Sequence, residues 1–362
     1  MHRFRDVVNR MVQHNIPFFL YRLPLDSIVQ CGVKRTLVIE QAPIQSFKDK
    51  EGFVFAPFIK TSPYFIAPDF TFNLPTELTQ LEIFIAHVKN QLTNEEPLPA
   101  REISKETYIT QCNAFIDRIR DGYLKKAILA RCVKSKQLKK ANAGAHFISL
   151  EQKYKDAFVF LVHLPGITTW LGATPETLLE ISDNRFTTMS LAGTQRWVDG
   201  KTDSISNWSC KDIEEQKIVT DYICEQLREL GIVNYCCEPL TVKRAGMIGH
   251  LHTLIHGNID GDQVSLMIDK LHPTPAVCGY PQKEALELIR NIESQSRDFY
   301  AGYLGIKSAN KMHLFVNLRS ARLLPEYGLL YVGSGITANS DPSLEWNETC
   351  LKSQTILNAL ND

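Results

Sequence analysis

Two rhythms of apolar and polar residues run along this chain. The first is a series of short, strand-length apolar runs, over residues 126–133, 157–163, 168–173, 177–181 and 185–191. It returns over 235–242, 250–255, 301–306, 311–318 and 329–332. The second rhythm is helical. Residues 104–121 place Tyr108, Cys112, Phe115 and Ile119 on one face and stop at Gly122. A longer helix is predicted over 207–230, ended by Gly231. A last one covers 342–360, with Asp341 as N-cap and Pro342 in its first turn.

In the first hundred residues the apolar runs are short (18–20, 36–39, 52–58). They are cut by Pro17, Pro24, Pro43, Pro57, Pro63, Pro68 and Pro75, which predicts a strand-rich layer over 1–100. A polar, Pro-rich stretch at 94–99 reads as a linker or long loop leading into a region over 101–362. Strands and helices do not alternate as in a doubly wound sheet, so the predicted class is α+β.

Composition narrows the functional classes. The chain has 362 residues, 44% of them hydrophobic, enough to bury a full core, which excludes a disordered protein. Forty Lys+Arg balance 40 Asp+Glu, and zero net charge argues against nucleic acid as a partner. Apolar stretches such as 158–162 are far too short for a membrane span, and residues 1–10 lack the apolar segment of a signal peptide. Nine cysteines without a C-x-x-C pair, two of them adjacent at Cys236 and Cys237, predict reduced thiols in a cytoplasmic protein.

Candidate chemistry starts with acids on the wrong helix face. In the 207–230 helix Val219, Ile223, Leu227 and Leu230 form the apolar stripe, opposite Glu214, Lys217, Glu225 and Arg228. Asp212 and Glu215 fall on the apolar side. Either they complement the helix dipole in the first turn, or two carboxylates point inward, where a charge needs a cation or a proton. In the last helix Glu345, Glu348 and Lys352 form one narrow charged band; an ordinary Glu348–Lys352 surface pair is the plainer reading. Four carboxylates on two helices suit a hard divalent ion, Mg²⁺ before Zn²⁺.

Other motifs are weaker. Gly333-Ser-Gly335-Ile-Thr-Ala338 matches a dinucleotide fingerprint, but too little chain follows for a βαβ unit. His250, His252 and His256 would share one strand face and could hold zinc, although no Cys or carboxylate stands beside them. Lys126 opens a strand and alternates in phase with Ile128, Ala130 and Cys132, on the inward face if that strand is half-buried.

The blocks KKAILAR (125–131), LGATPETLLE (171–180), SLAGT (190–194) and KDIEEQ (211–216) resemble those of the chorismate-utilising enzymes, the family of isochorismate, salicylate, anthranilate and aminodeoxychorismate synthases. So do GHLHT (249–253), HPTPAVCGYP (272–281), SRDFYAGYLG (296–305), LRSARL (318–323), VGSGI (332–336) and LEWNETCLKS (344–353). The resemblance runs from about residue 102 to the end and implies a large mixed fold of antiparallel-rich sheets flanked by helices. HPTPAVCG resembles the isochorismate synthase version of its block, and Ala192 stands where aminodeoxychorismate synthases carry a nucleophilic lysine.

That resemblance implies conversion of chorismate to isochorismate with Mg²⁺, for menaquinone or, as a second choice, siderophore synthesis. Lys126 would be the base that activates water and Glu176 the acid that protonates the departing hydroxyl. Glu215 and Glu348 would be the principal metal ligands, with Asp212 and Glu345 direct or through water. Tyr300, Arg319 and Gly333 match positions that bind the enolpyruvyl carboxylate; Gly193, Thr194, His250 and Lys352 match other pocket positions. No amidotransferase subunit is implied, and a monomer or homodimer is expected. Gln216 departs from the family's usual His, with little expected effect. Salicylate synthase, anthranilate synthase and a non-catalytic chorismate-binding protein are the alternatives.

Overall fold

A computed structural model describes residues 2–360 except Lys60, Lys89, Glu95 and Met247; Met1 of the N-terminal stretch and Glu95 of the Pro-rich stretch therefore lie outside it. The strand-length runs assemble into two large sheets. The first runs Gly279–Tyr280, Lys126–Ser135, Gly328–Ile336, Ser320–Leu323, Thr168–Thr174, Phe158–Leu164, Phe18–Arg22, Val29–Val33, Phe70–Leu74. The second runs Tyr235–Cys237, Ile248–Asn258, Arg185–Arg196, Thr177–Ser182, Lys311–Val316, Tyr303–Lys307, Gly52–Ala56, Tyr64–Ile66, Glu40–Gln41; Thr241–Ala245 also pairs with Ile248–Asn258. The named ladders are antiparallel, and helices flank them, an α+β arrangement.

Aromatic rings join the two sheets. Phe158 of the first stacks on Phe315 of the second with centroids 4.2 Å apart, and Phe19 stacks on Phe53 at 4.9 Å. A second apolar cluster packs helices His2–Gln13 and Ala143–Lys153 against the first sheet, through Val7, Met11, Phe147, Leu161 and Leu171.

The first hundred residues supply outer strands to both sheets. Phe18–Arg22 pairs with Phe158–Leu164, and Gly52–Ala56 pairs with Tyr303–Lys307. The Pro-rich stretch is tied down as well: Glu96 pairs with Lys140, and the buried Arg322 lies 3.6 Å from Glu96 and donates to the Pro97 carbonyl.

Local chemistry accounts for most element ends. Ser104 caps helix Lys105–Arg120, and Asp341 accepts from the backbone N–H of Ser343 and Leu344 to start helix Pro342–Leu360. The predicted 235–242 strand is two pieces, because Pro239 has no N–H to offer the ladder; both pair with Ile248–Asn258. Strand Arg185–Arg196 runs past its predicted end at 191. Its register shifts between Ala192 and Gln195, with Gly193 at φ 71°, and this bulge aims Gly193 and Thr194 sideways.

Candidate active site

One cavity, about 1070 Å³ with its open mouth, gathers Lys126, Glu176, Gly193, Thr194, Asp212, Glu215, His250, Tyr300, Arg319, Gly333, Glu348 and Lys352. Of the residues that the resemblance assigns to catalysis, metal or substrate, Glu345 alone is not on its wall. Lys126 opens strand Lys126–Ser135 and is 2% exposed. Its Nζ lies 3.6 Å from the Glu215 carboxylate. A Cβ on Gly335, in the neighbouring strand, would sit 3.0 Å from Lys126 Cε and 3.2 Å from Glu215 Oε1, so only glycine leaves room for this pair. The dinucleotide fingerprint is thereby explained otherwise: Gly333 and Gly335 lie within a continuous strand, opposite Ala130 and Ile128, and no phosphate-binding turn follows them.

Glu176 sits between strands Thr168–Thr174 and Thr177–Ser182, its carbonyl accepting from Val316 N at 2.9 Å. It too is 2% exposed. Burial pushes its carboxyl up to about 8, against the opposing pull of Lys243, Lys126 and Arg319. At neutral pH it holds a proton.

The remaining carboxylates each have a partner in the chain. Asp212 closes a capping box: its carboxylate accepts from Ser209 Oγ at 2.6 Å while Ser209 Oγ accepts from Asp212 N at 3.1 Å. The dipole-complementing reading of Asp212 is thus realised, although its side chain still reaches the cavity. Glu348 pairs with Lys352 at 2.7 Å, and Lys352 also donates to the Gly333 carbonyl at 2.9 Å. Glu345 is buried behind the wall, accepting from Ser340 Oγ at 2.7 Å and lying 3.4 Å from Lys211; burial raises its carboxyl above the usual range. Among the described residues no three His, Cys, Asp or Glu side chains stand together as a metal cage.

The opposite wall is cationic. Arg319 has φ 47°, a left-handed conformation that a non-glycine residue adopts only under constraint, and burial lowers its guanidinium to about 10, still charged at neutral pH. Its Nη2 donates to His250 Nε2, and His250 Nδ1 donates to the Gly193 carbonyl at 2.7 Å. Burial and then Arg319 hold the imidazole well below its usual range, so it is a neutral prop for the guanidinium. The buried Tyr300 hydroxyl lies where a Cβ on Gly333 would come within 3.3 Å of it.

The three histidines do not converge. His252 bonds Thr241 Oγ1 at 2.7 Å, and His256 lies 3.8 Å from Glu238. Two further lysines by the site had no role assigned: Lys243 lies in no recurring block, and Lys211 opens KDIEEQ. Lys243 Nζ donates to the Pro175 carbonyl at 3.0 Å, just before Glu176. Lys211 is buried enough to lower its pKa, but Glu345, Glu215 and Glu348 outweigh that and raise it. Gln216 reaches no cavity wall; its Nε2 donates to Ser190, Thr253 and Thr220 hydroxyls at 2.8, 3.1 and 3.0 Å, fastening the helix behind Glu215 to two strands. Arg131 does the same for the last helix, 3.8 Å over the Trp346 ring and 2.8 Å from Thr349 Oγ1.

A family model described as chorismate binding enzyme matches residues 69–361. The chain is 33% identical over 253 residues to the salicylate biosynthesis isochorismate synthase of Pseudomonas aeruginosa, covering 68% of this chain and 53% of that protein. It is 32% identical over 259 residues to isochorismate synthase 2 of Arabidopsis thaliana, covering 69% and 46%. The chain spans about half the length of these curated relatives. The solved structure of MenF, the menaquinone-specific isochorismate synthase from Escherichia coli, superimposes with TM-score 0.78 at 21% identity, over 98% of this chain and 91% of that one.

Proposed function

This chain belongs to the chorismate-binding enzyme family, and on that premise we propose that it converts chorismate to isochorismate for menaquinone synthesis. The observation that carries the reading is one cavity holding a carboxyl protonated at neutral pH, Glu176, together with a buried amine, Lys126. Lys126 takes a proton from water as its oxygen bonds to ring carbon 2. The ring double bonds shift, and the bond from carbon 4 to its hydroxyl breaks. Glu176 gives its proton to that hydroxyl, which leaves as water, so that substrate and product are isomers. The Arg319 fork, braced by His250, suits bidentate capture of the enolpyruvyl carboxylate beside Tyr300.

The donor set of Glu215, Glu348, Asp212 and Glu345 is all oxygen. Mg²⁺ takes one or two carboxylates and keeps waters or substrate oxygens for the rest, so these residues fit it without a three-ligand cage. Glu215 and Glu348 would hold the ion from the cavity wall, with Asp212 on the same wall and Glu345 behind it as further ligands, direct or through water. When bound, the ion supplies positive charge for the ring carboxylate. Water as nucleophile removes any need for an ammonia-supplying subunit. No helix among the described residues is long and apolar enough to cross a membrane.

The test is incubation with chorismate, with Mg²⁺ and with a chelator, followed by product identification. Isochorismate formed only with the metal is the expected result. Salicylate plus pyruvate would move the assignment to a salicylate synthase, and anthranilate formed with ammonia to an anthranilate synthase. Unchanged turnover in Lys126→Ala would remove the catalytic reading altogether.

A further inference from the structure

Helix Cys210–Glu229 carries, beyond its acidic start, a second chemical feature that the proposed reaction does not use. The Sγ atoms of Cys224, on this helix, and Cys237, on the edge strand Tyr235–Cys237, are 3.5 Å apart although the residues are thirteen positions apart in sequence. A disulfide needs its sulfurs at about 2.05 Å, a closure within reach of side-chain rotation and small backbone adjustment. Both sulfurs are reachable, Cys237 being exposed and Cys224 half-buried, whereas Cys31, Cys112, Cys132 and Cys278 are buried. The Cys237 thiol and the Tyr235 hydroxyl are both pushed up, first by burial and then by hydrogen bonds to the Cys224 sulfur.

We infer that Cys224 and Cys237 form a thiol–disulfide exchange site for low-molecular-weight disulfides, closing reversibly into one intrachain bond. The Cys224 thiolate attacks one sulfur of the reagent and expels the other as a thiolate, which takes up a proton. The Cys237 thiol then loses its proton and attacks Cys224 Sγ, expelling the second reagent thiolate. Two protein thiols and one disulfide thus become one protein disulfide and two free thiols, with no other oxidant. The bond would tie the C-terminal half of the helix to the outermost strand of the second sheet. This inference stands independently of the reaction proposed above.

The test is incubation of the full chain with oxidised glutathione, alkylation of the remaining thiols and peptide mapping. The expected result is seven alkylated cysteines of the nine, a Cys224–Cys237 cross-linked peptide, a mass lower by about 2 Da, and full recovery with dithiothreitol. Cys237→Ser should trap glutathione on Cys224, and Cys224→Ser should give no cross-link. A Cys236–Cys237 bond, glutathione held only on the exposed Cys236, or nine thiols unchanged would each overturn the inference.

Discussion

Glu176 and Glu215 are carboxylates on the wall of one cavity, yet they meet opposite conditions. Glu215 lies 3.6 Å from the Lys126 amine. Glu176 feels Lys243, Lys126 and Arg319, but forms no ion pair among the described residues, and burial dominates: its carboxyl is pushed up to about 8. Glu176 has no partner in direct contact to offset its desolvation, whereas Glu215 is less deeply buried and has one. One cavity therefore presents a protonated carboxyl at Glu176 and a paired carboxyl at Glu215.

Removing the proton donor should have the largest effect. Glu176→Gln keeps the shape and loses the acid, and chorismate turnover should fall by about 10²- to 10⁴-fold. In the unaltered enzyme turnover should decline as pH rises through about 8, where the acid form is lost; a flat profile through that range would break the contrast. Next is the paired side. Glu215→Gln takes the carboxylate away from the buried Lys126 amine, and urea unfolding should show a loss of about 1–3 kcal/mol.

A stability measurement sharpens the same contrast. The folded pKa of Glu176 is raised above its unfolded value, so its contribution is fully present below about 4.5 and is lost as pH rises to about 8. Glu176→Gln should match the parent at low pH and exceed it at pH 9 by roughly 1–4 kcal/mol, read by denaturant unfolding at both pH values. Gln216→Leu takes a hydrogen-bond partner from the buried Ser190 and Thr253 hydroxyls behind Glu215 and should cost about 1–3 kcal/mol without touching the Glu176 side. Smallest is Lys352→Met, whose partly exposed pair with Glu348 contributes less than about 1 kcal/mol to stability; its effect should appear in KM for chorismate.

Much of the sheet framework was legible because strand-length apolar runs are local, and the helix starts at Ser104 and Asp341 follow from cap chemistry. Lys126 is buried because both faces of its strand are covered, Ala127 and Leu129 as well as Ile128 and Ala130, rather than by phase. Helices Leu78–Ala86, Gln263–Leu271 and Gln282–Ile292 were not, since each is short and draws its order from packing. His2–Gln13 buries Val7, Val8, Met11 and Val12, a face masked by its arginines. At the site, residues in recurring blocks could be named in advance. Lys243 could not, because only the register of Thr241–Ala245 on Ile248–Asn258 brings it to the Pro175 carbonyl beside Glu176. Lys211 opens one of those blocks, yet it meets Glu345 only through the approach of two helices. Asp212 shows the limit of helical phase: it places a side chain on a face but does not reveal that this one closes a capping box with the N-cap Ser209.

The outer strands contributed by the N-terminal hundred residues also bear on how the molecule is made. Gly52–Ala56 leaves the ribosome early, but its partner Tyr303–Lys307 emerges some 250 residues later. Loop closure over that distance must wait for nearly the whole polypeptide, which places this protein among slow, high-contact-order folders. Through that interval Phe53, Val54 and Phe55, wholly buried once paired, are an uncovered apolar edge, and the nascent chain is open there to mispairing or to capture by a holdase.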